Sequence, residues 1–251
     1  MVHFVGAGSG AEDLITLRGA RLLGEADVVI YAGSLVNPAL LQYAREGCEI
    51  HDSARLTLEH VIAIIREAEA AGKTTVRLHT GDPSIYGAVR EQFDALDALG
   101  IEYDVCPGVS AFCGAAAALR ADYMLPEVSQ SVVITRAAGR TPVPDRESLR
   151  AFAAHRSTMV LFLSTSLAED VQSELIEGGY PPQTPAAIVY KATWPDERIY
   201  RCSVGTLAGT VRENGLTRTA LIVIGDFLGD RYDRSKLYDP GFSTGYRQAE
   251  R

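Results

Sequence analysis

Two stretches decide the fold of this chain: His3–Gly10, which reads HFVGAGSG, and Thr75–Pro83, which reads TVRLHTGDP. Each places glycine directly after a short apolar strand, where any side chain would keep the backbone away from a ligand. Because the carboxyl ends of parallel strands lie at one edge of a sheet, we expect both loops to line one crevice. The expected ligand of such a crevice is small and polar and carries an adenosine.

The first half of the chain alternates strands with helices, which predicts repeated βα units and a parallel sheet. The segment Asp27–Tyr31 carries an unbroken apolar run, as in a strand covered on both faces. The predicted strands are His3–Val5, Asp27–Tyr31, Thr75–His79 and Glu102–Val105, and the predicted helices are Asp13–Leu23, a short one opened by Asn37, Thr57–Gly72, Ser84–Leu99 and Ala111–Leu119.

After Pro126 the pattern changes, and two predicted strands, Ala186–Tyr190 and Ile199–Ser203, follow each other across Pro195. Such a short connection predicts a hairpin and therefore a mixed sheet. We expect an α/β protein of two α/β domains, residues 1–122 with a mostly parallel sheet and residues 126–251 with a mixed sheet and an aromatic tail. The other predicted elements here are strands Ser131–Thr135, Thr158–Leu163 and Thr219–Ile224 and helices Arg146–His155, Ala168–Glu177 and Thr206–Glu213.

Composition narrows the functional classes. The chain is 47% hydrophobic and 22% charged, as in ordinary globular proteins, and its formal charge of −8 argues against a nucleic-acid surface. Its four cysteines and five histidines show no metal-ligand spacing, so we expect no metal site. Apolar runs are only as long as strands, and no leader-like segment opens the chain, so we expect a cytoplasmic protein that does not contact a membrane.

The first glycine loop alone leaves several interpretations open. Gly6–Ala11 fits the dinucleotide pattern G-x-G-x-x-G/A, but a nicotinamide site also needs an acidic residue at the end of the second strand. That strand ends instead in Tyr31-Ala32-Gly33-Ser34. A glycine turn with a purely structural role and a site for another ligand are the alternatives.

Two later loops add chemistry. In Thr80–Gly87, proline fixes the backbone and Ser84 is placed to cap a helix, so the segment is either a rigid ligand loop or simply a well-capped helix start. Arg136 and Arg140 lie on a Gly- and Pro-containing loop and suit carboxylate binding, although a solvated loop would have the same composition.

Together these motifs resemble the class III S-adenosylmethionine-dependent methyltransferases, the tetrapyrrole methylases. The resemblance rests on three loops, Gly6–Thr16, Gly81–Pro83 and Pro107–Ala111, and covers essentially the whole chain. Within the class the chain is most similar to the precorrin-4 C(11)-methyltransferases, including those that act on the cobalt-containing substrate. That closer similarity is carried by Tyr31–Val36, Thr135–Pro144, Tyr190–Glu197 and Ser235–Asp239. Ser9 departs from the class, which usually has proline there, and we expect it to loosen the first loop slightly.

The resemblance implies a homodimer that binds an anionic tetrapyrrole and methylates it at carbon 11, with S-adenosylmethionine as methyl donor and S-adenosylhomocysteine as product. It implies no particular catalytic acid or base. The implied cofactor contacts are Gly81, Asp82, Ile85, Ser110, Ala111, Leu163, Ala192 and Ala220, and the implied substrate contacts are Gly8, Ser9, Tyr31, Ser34, Arg136 and Arg140. The competing hypotheses are a nicotinamide-dependent oxidoreductase and a non-catalytic sensor of small molecules.

Overall fold

The computed structural model describes residues 1–250. The chain divides into two compact units. The first comprises Met1–Ala115 together with the short segment Lys191–Asp196, and the second comprises Ala116–Tyr190 and the chain from Glu197 onward. The predicted division into residues 1–122 and residues 126–251 remains a proposal. Residue 251, the last of the second predicted domain, lies outside the described residues.

The first unit contains a five-stranded sheet with the order β3-β2-β4-β1-β5, in which every pair is parallel. All five strands therefore end at the same edge. Its elements are β1 Val2–Gly6, α1 Leu17–Glu25, β2 Val28–Tyr31, β3 Glu49–Asp52, α2 Leu58–Ala70, β4 Thr75–His79, α3 Arg90–Leu99, β5 Tyr103–Cys106 and α4 Ala111–Leu119, with short 3-10 helices at Glu12–Leu14, Pro38–Tyr43 and Ser53–Arg55.

Alternation along the strands divides the first core into two faces. On one face, Val5 and Val29 pack with α1 and the 3-10 helix Pro38–Tyr43. On the other face, Phe4 packs with α2 and α3. A sheet covered on both faces explains why β1, β2 and β4 are almost wholly buried.

The second unit contains a mixed five-stranded sheet with the order β6-β7-β10-β8-β9. Only β6 and β7 are parallel, and β8 and β9 form the predicted hairpin. Its elements are β6 Val132–Arg136, α5 Leu149–Ala153, β7 Thr158–Phe162, α6 Ala168–Gly178, β8 Pro185–Tyr190, β9 Arg198–Ser203, α7 Leu207–Glu213 and β10 Ala220–Ile224. The three helices bury their apolar faces against β7, β8 and β10. The predicted fold class, an α/β protein with a parallel first sheet and a mixed second sheet, is confirmed.

Three local predictions were wrong. The strand β3 was missed, because Glu49–Asp52 is a polar edge strand without an apolar run. The helix predicted from Ser84 begins only at Arg90, because Asp82 binds the Ser84 amide in a turn and Tyr86 has a left-handed backbone. The first helix begins at Leu17 with Thr16 as its N-cap rather than at Asp13.

Candidate active site

Three glycines allow the loops after β1, β4 and β5 to meet. A Cβ atom on Gly6 would lie 2.5 Å from the Cα of Gly108 and 2.6 Å from the carbonyl oxygen of Gly81. A Cβ atom on Gly108 would lie 2.2 Å from that same oxygen. All three distances are too short for real atoms, so side chains are excluded at Gly6 and Gly108, where the loops converge. The carboxyl edge of the first sheet is therefore lined there by backbone.

Hydrogen bonds fix this convergence. The amide of Gly8 donates to the carbonyl of Gly81 at 3.2 Å, and the amide of Gly81 donates back to Gly8 at 2.9 Å. Gly81 has a left-handed backbone, φ +59°, which glycine adopts without a steric penalty. The loops after β1 and β4 are thus held by a two-way backbone bridge.

Asp82, in the loop after β4, binds the loop after β5. Its carboxylate accepts from the Gly108 amide at 2.8 Å and from the Ser84 amide and hydroxyl at 2.9 Å and 2.5 Å. Partial burial opposes ionisation, but these hydrogen bonds together hold the pKa of Asp82 below its ordinary value. The carboxylate is therefore ionised near neutral pH, and both of its oxygens accept hydrogen bonds within the protein.

The loops after β2 and β3 are joined in the same way. Asp52 accepts from the amides of Gly33 at 3.0 Å and Ala54 at 2.8 Å. A Cβ atom on Gly33 would lie 2.4 Å from an Asp52 carboxylate oxygen, which explains the glycine. Next to this contact, the Ser53 hydroxyl donates to the Tyr31 carbonyl. The predicted substrate contacts Tyr31 and Ser34 thus lie at the same strand edge as Gly81.

Sequence reasoning missed Arg55 at this edge. It ends the 3-10 helix that follows β3, its side chain is exposed, and it has no ion pair within residues 1–250. The only available signal was the position of Arg55 after a strand, and that strand was itself missed.

A segment from far along the chain completes the first unit. Lys191–Asp196 connects β8 to β9 but packs with the first glycine loop. The Thr193 hydroxyl accepts from the Ala11 amide at 3.0 Å and lies 3.1 Å from the Ser9 hydroxyl. Ser9 is buried. Its hydroxyl therefore ties the first loop to this segment, which also carries the predicted cofactor contact Ala192.

Two other predicted cofactor contacts, Leu163 and Ala220, lie together in the second unit. The register of β7 and β10 places them at one end of the second sheet, the end where β6 finishes at Arg136. Leu163 is 63% exposed and has a left-handed backbone, φ +53°, which is uncommon for a bulky residue. Strain of this kind concentrates at ligand sites.

The two arginines on the loop after β6 differ in their surroundings. The Arg136 guanidinium donates to the carbonyls of Ala137, Thr141 and Pro142, so most of its donors organise its own loop. Arg140 is exposed and makes no ion pair or hydrogen bond in the described part of the chain. Arg140 is therefore the freer of the two for an external anion.

The strand β4, which leads into one of the converging loops, carries two buried polar side chains, Arg77 and His79. Arg77 is 7% exposed and donates to the Ile30 carbonyl and the Gln92 side chain, while Gln92 donates to the Ala88 carbonyl. Burial lowers the pKa of Arg77 to about 10. Burial and the nearby Arg77 charge lower the pKa of His79 to about 3, so this imidazole is neutral near physiological pH.

The family model for tetrapyrrole (corrin/porphyrin) methylases matches residues 1–208. The chain belongs to this family. One family member, the cobalt-precorrin-4 C(11)-methyltransferase of Methanocaldococcus jannaschii, is 49% identical over 251 residues, covering 100% of this chain and 97% of the relative. The precorrin-4 C(11)-methyltransferase of Mycobacterium tuberculosis is 44% identical and covers 98% of this chain and 99% of the relative.

Solved structures of family members agree with the fold. A cobalt precorrin-4 methyltransferase, described as a cobalamin biosynthetic enzyme, matches with a TM-score of 0.89 and 43% identity, over 91% of this chain and 96% of that one. A uroporphyrin-III C-methyltransferase from Thermus thermophilus, complexed with S-adenosylhomocysteine, matches with a TM-score of 0.77 and 28% identity, over 90% of this chain and 92% of that one.

Neither a metal-binding cluster nor a membrane-spanning helix is found within residues 1–250. Nowhere in this range do three or more His, Cys, Asp or Glu side chains gather as they would around a metal ion. No helix in the same range has the length and apolar character needed to span a membrane.

Proposed function

We propose that this protein transfers one methyl group from S-adenosylmethionine to carbon 11 of precorrin-4, or of its cobalt complex, and gives precorrin-5 in corrin ring biosynthesis. The observation that carries the proposal is the convergence of the loops at Gly6, Gly81 and Gly108 at one strand edge. These loops hold the motifs of the methylase class, in a chain 43–49% identical over its length to enzymes named for this reaction.

The residues at this edge fit a donor such as S-adenosylmethionine. Where the loops converge they present backbone and small side chains beside the ionised Asp82 carboxylate, whose negative charge suits a ligand with a positively charged sulfonium. Ser110 and Ala111 open α4, and the first amides of a helix have no intrahelical acceptor, which favours an anionic group such as the carboxylate of the donor. The proposed contacts are Gly81, Asp82, Ile85, Ser110, Ala111 and Ala192 from the first unit and Leu163 and Ala220 from the second.

Asp82 contributes to this site through the loop that it holds. Because its carboxylate binds Gly108 and Ser84, its role is to fix the backbone of two cofactor loops. Gly81 contributes by lacking a side chain. We assign no catalytic acid or base.

When bound, S-adenosylmethionine supplies an already activated methyl group. What this chain adds is alignment, and a misplacement of about 1 Å can cost on the order of 100-fold in rate.

The proposed contacts with the anionic tetrapyrrole are Gly8, Ser9, Tyr31, Ser34, Arg136 and Arg140, to which we add Arg55. Since the chain carries a formal charge of −8, attraction of an anionic substrate must come from local cations. Arg55 and Arg140 are exposed and free of ion pairs within the described residues. We also propose a homodimer in the cytoplasm, as the resemblance to the class implies.

The test is incubation with S-adenosylmethionine carrying a ¹³C-labelled methyl group and with metal-free or cobalt-loaded precorrin-4, followed by carbon NMR of the product. Label at carbon 11 supports the proposal, and the faster substrate decides between the two forms. Label at carbon 17, or at carbons 2 and 7, would keep the methylase activity and overturn the position. A nicotinamide nucleotide released from the purified protein, with no methyl transfer, would instead favour an oxidoreductase.

A further inference from the structure

The Thr193 turn, residues Lys191–Trp194, is strained where it packs on the first loop. Thr193 has φ +68° and Lys191 has φ +47°, both in the left-handed region. That region is unfavourable for a β-branched residue such as threonine, because its branched side chain crowds the backbone. A strained backbone persists only where surrounding contacts enforce it.

The contacts that enforce it converge on the Thr193 hydroxyl. This oxygen accepts from the Ala11 amide at 3.0 Å and lies 3.1 Å from the Ser9 hydroxyl, while the Trp194 amide closes the turn on the Lys191 carbonyl. Where the class usually has proline, this chain has a serine whose hydroxyl reaches the turn. Ser9 therefore gives the loop a tether rather than the slight loosening expected from the sequence.

Two glycines leave the space that the turn needs. A Cβ atom on Gly10 would lie 2.1 Å from the Trp194 ring and 2.7 Å from the Ala192 carbonyl oxygen. A Cβ atom on Gly114 would lie 2.7 Å from the Cβ of Ser9 and 3.2 Å from the Thr193 methyl. The first loop and α4 are thus both shaped around the turn, and Ala192 within it is buried.

We propose that Thr193 is a positioning residue, whose hydroxyl, braced by Ser9 and the Ala11 amide, holds Ala192 in place for the methyl donor. This inference rests on the proposed function, in which Ala192 contacts S-adenosylmethionine. Thr193 itself touches no reacting atom. Its hydroxyl keeps the turn in its strained form before the donor arrives, so that the donor does not have to order it.

The test measures binding of S-adenosylhomocysteine by calorimetry in four variants. Thr193→Val keeps the shape and loses the hydroxyl, and we expect the dissociation constant to rise about tenfold. Thr193→Ser keeps the hydroxyl and should bind within about twofold of the parent. Ser9→Ala removes one of two partners and should weaken binding about threefold. The Ser9→Ala/Thr193→Val double variant should bind no worse than Thr193→Val, because the two hydroxyls act on each other.

Thr193→Gly separates positioning from plain stability. Glycine tolerates the left-handed backbone, so the melting temperature should hold or rise while affinity for S-adenosylhomocysteine falls. Loss of both together would overturn the positioning role, and so would parental affinity in folded Thr193→Val. If Thr193→Val does not fold, parental affinity in Ser9→Ala overturns the proposal in the same way. Failure of the parent protein to bind S-adenosylhomocysteine would instead overturn the proposed function.

Discussion

The carboxylate of Asp82 accepts a 2.8 Å hydrogen bond from the amide of Gly108, which joins the loop after β4 to the loop after β5. The same carboxylate holds Ser84 through its amide and hydroxyl. An aspartate in a glycine-aspartate-proline loop would ordinarily be considered a ligand for the cofactor. Here its oxygens accept hydrogen bonds within the protein, so we propose that its effect on the cofactor is transmitted through two backbones.

Replacing Asp82 by asparagine tests this relationship. Asparagine has one acceptor oxygen, so it cannot accept from both Gly108 and Ser84 as the carboxylate does. We expect S-adenosylhomocysteine to bind about tenfold more weakly, about 1.4 kcal/mol, by calorimetry. Asp104→Asn is the control, since this exposed carboxylate lies on β5 and pairs with His3 rather than with a loop amide. Equal losses in the two variants would contradict the assignment.

The pH dependence of Asp82→Asn gives an independent check. The folded-state pKa of Asp82 is lower than its value in the unfolded chain. Its stabilising contribution is therefore complete above the unfolded pKa, about 3.9, and is lost as the pH falls through the folded pKa. The difference in melting temperature between the parent and Asp82→Asn should shrink as the pH is lowered from about 5 toward about 3. A difference that stays constant would contradict the linkage.

Sequence pattern predicted the parallel sheet because Asp27–Tyr31 is an apolar run, Thr75–His79 is a short strand-like segment, and each alternates with a helical pattern. It could not predict Asp82 bound to Gly108, since nothing local marks a bond between residues 26 positions apart. That bond lies in the segment between β4 and α3, where the helix begins at Arg90 rather than at the predicted Ser84. The Ser9–Thr193 contact spans 184 positions and was likewise hidden. Local signals predicted elements, whereas the geometry of the site depends on contacts that only the fold creates.

Gly81→Ala tests whether the space beside Gly81 belongs to the cofactor. Gly81 has φ +59°, so alanine costs about 1 kcal/mol of strain, but its Cβ atom would make only ordinary contacts at 3.4 Å with Ser110 and Ala111. The protein should fold and bind S-adenosylhomocysteine at least tenfold more weakly. Gly72→Ala is the matched control, because Gly72 has φ +68° with nothing within 4 Å. It should lose similar stability and no affinity.

Because His79 is buried and neutral, the folded protein should lose stability in mild acid. The folded-state pKa of His79 is about 3, against 6.5 for the free side chain, so between these values only the unfolded chain gains a proton. Stability is therefore complete above about pH 6.5 and falls as the pH is lowered, by about 1.5–2 kcal/mol at about pH 5. His79→Phe removes this titration and should flatten the melting temperature over that range. Exposed His155→Gln should keep the parental slope, and an unchanged slope in His79→Phe would contradict the assignment to His79.

Comparing Arg140→Ala with Arg136→Ala should distinguish an effect on substrate binding from an effect on loop structure. Arg140 is exposed and without an ion pair in residues 1–250, so Arg140→Ala should raise the Michaelis constant for the tetrapyrrole about tenfold, about 1.4 kcal/mol, and leave affinity for S-adenosylhomocysteine unchanged. That size is close to one charge-assisted hydrogen bond, roughly 1.5–3 kcal/mol.

Arg136→Ala removes the donors that hold Ala137, Thr141 and Pro142, so it should also lower the melting temperature. Arg146 is also exposed, and Arg146→Ala should change neither the Michaelis constant for the tetrapyrrole nor the melting temperature. A rise in the Michaelis constant for Arg146→Ala equal to that for Arg140→Ala would reduce the effect to net charge, and an unchanged constant for Arg140→Ala would remove this residue from the substrate site.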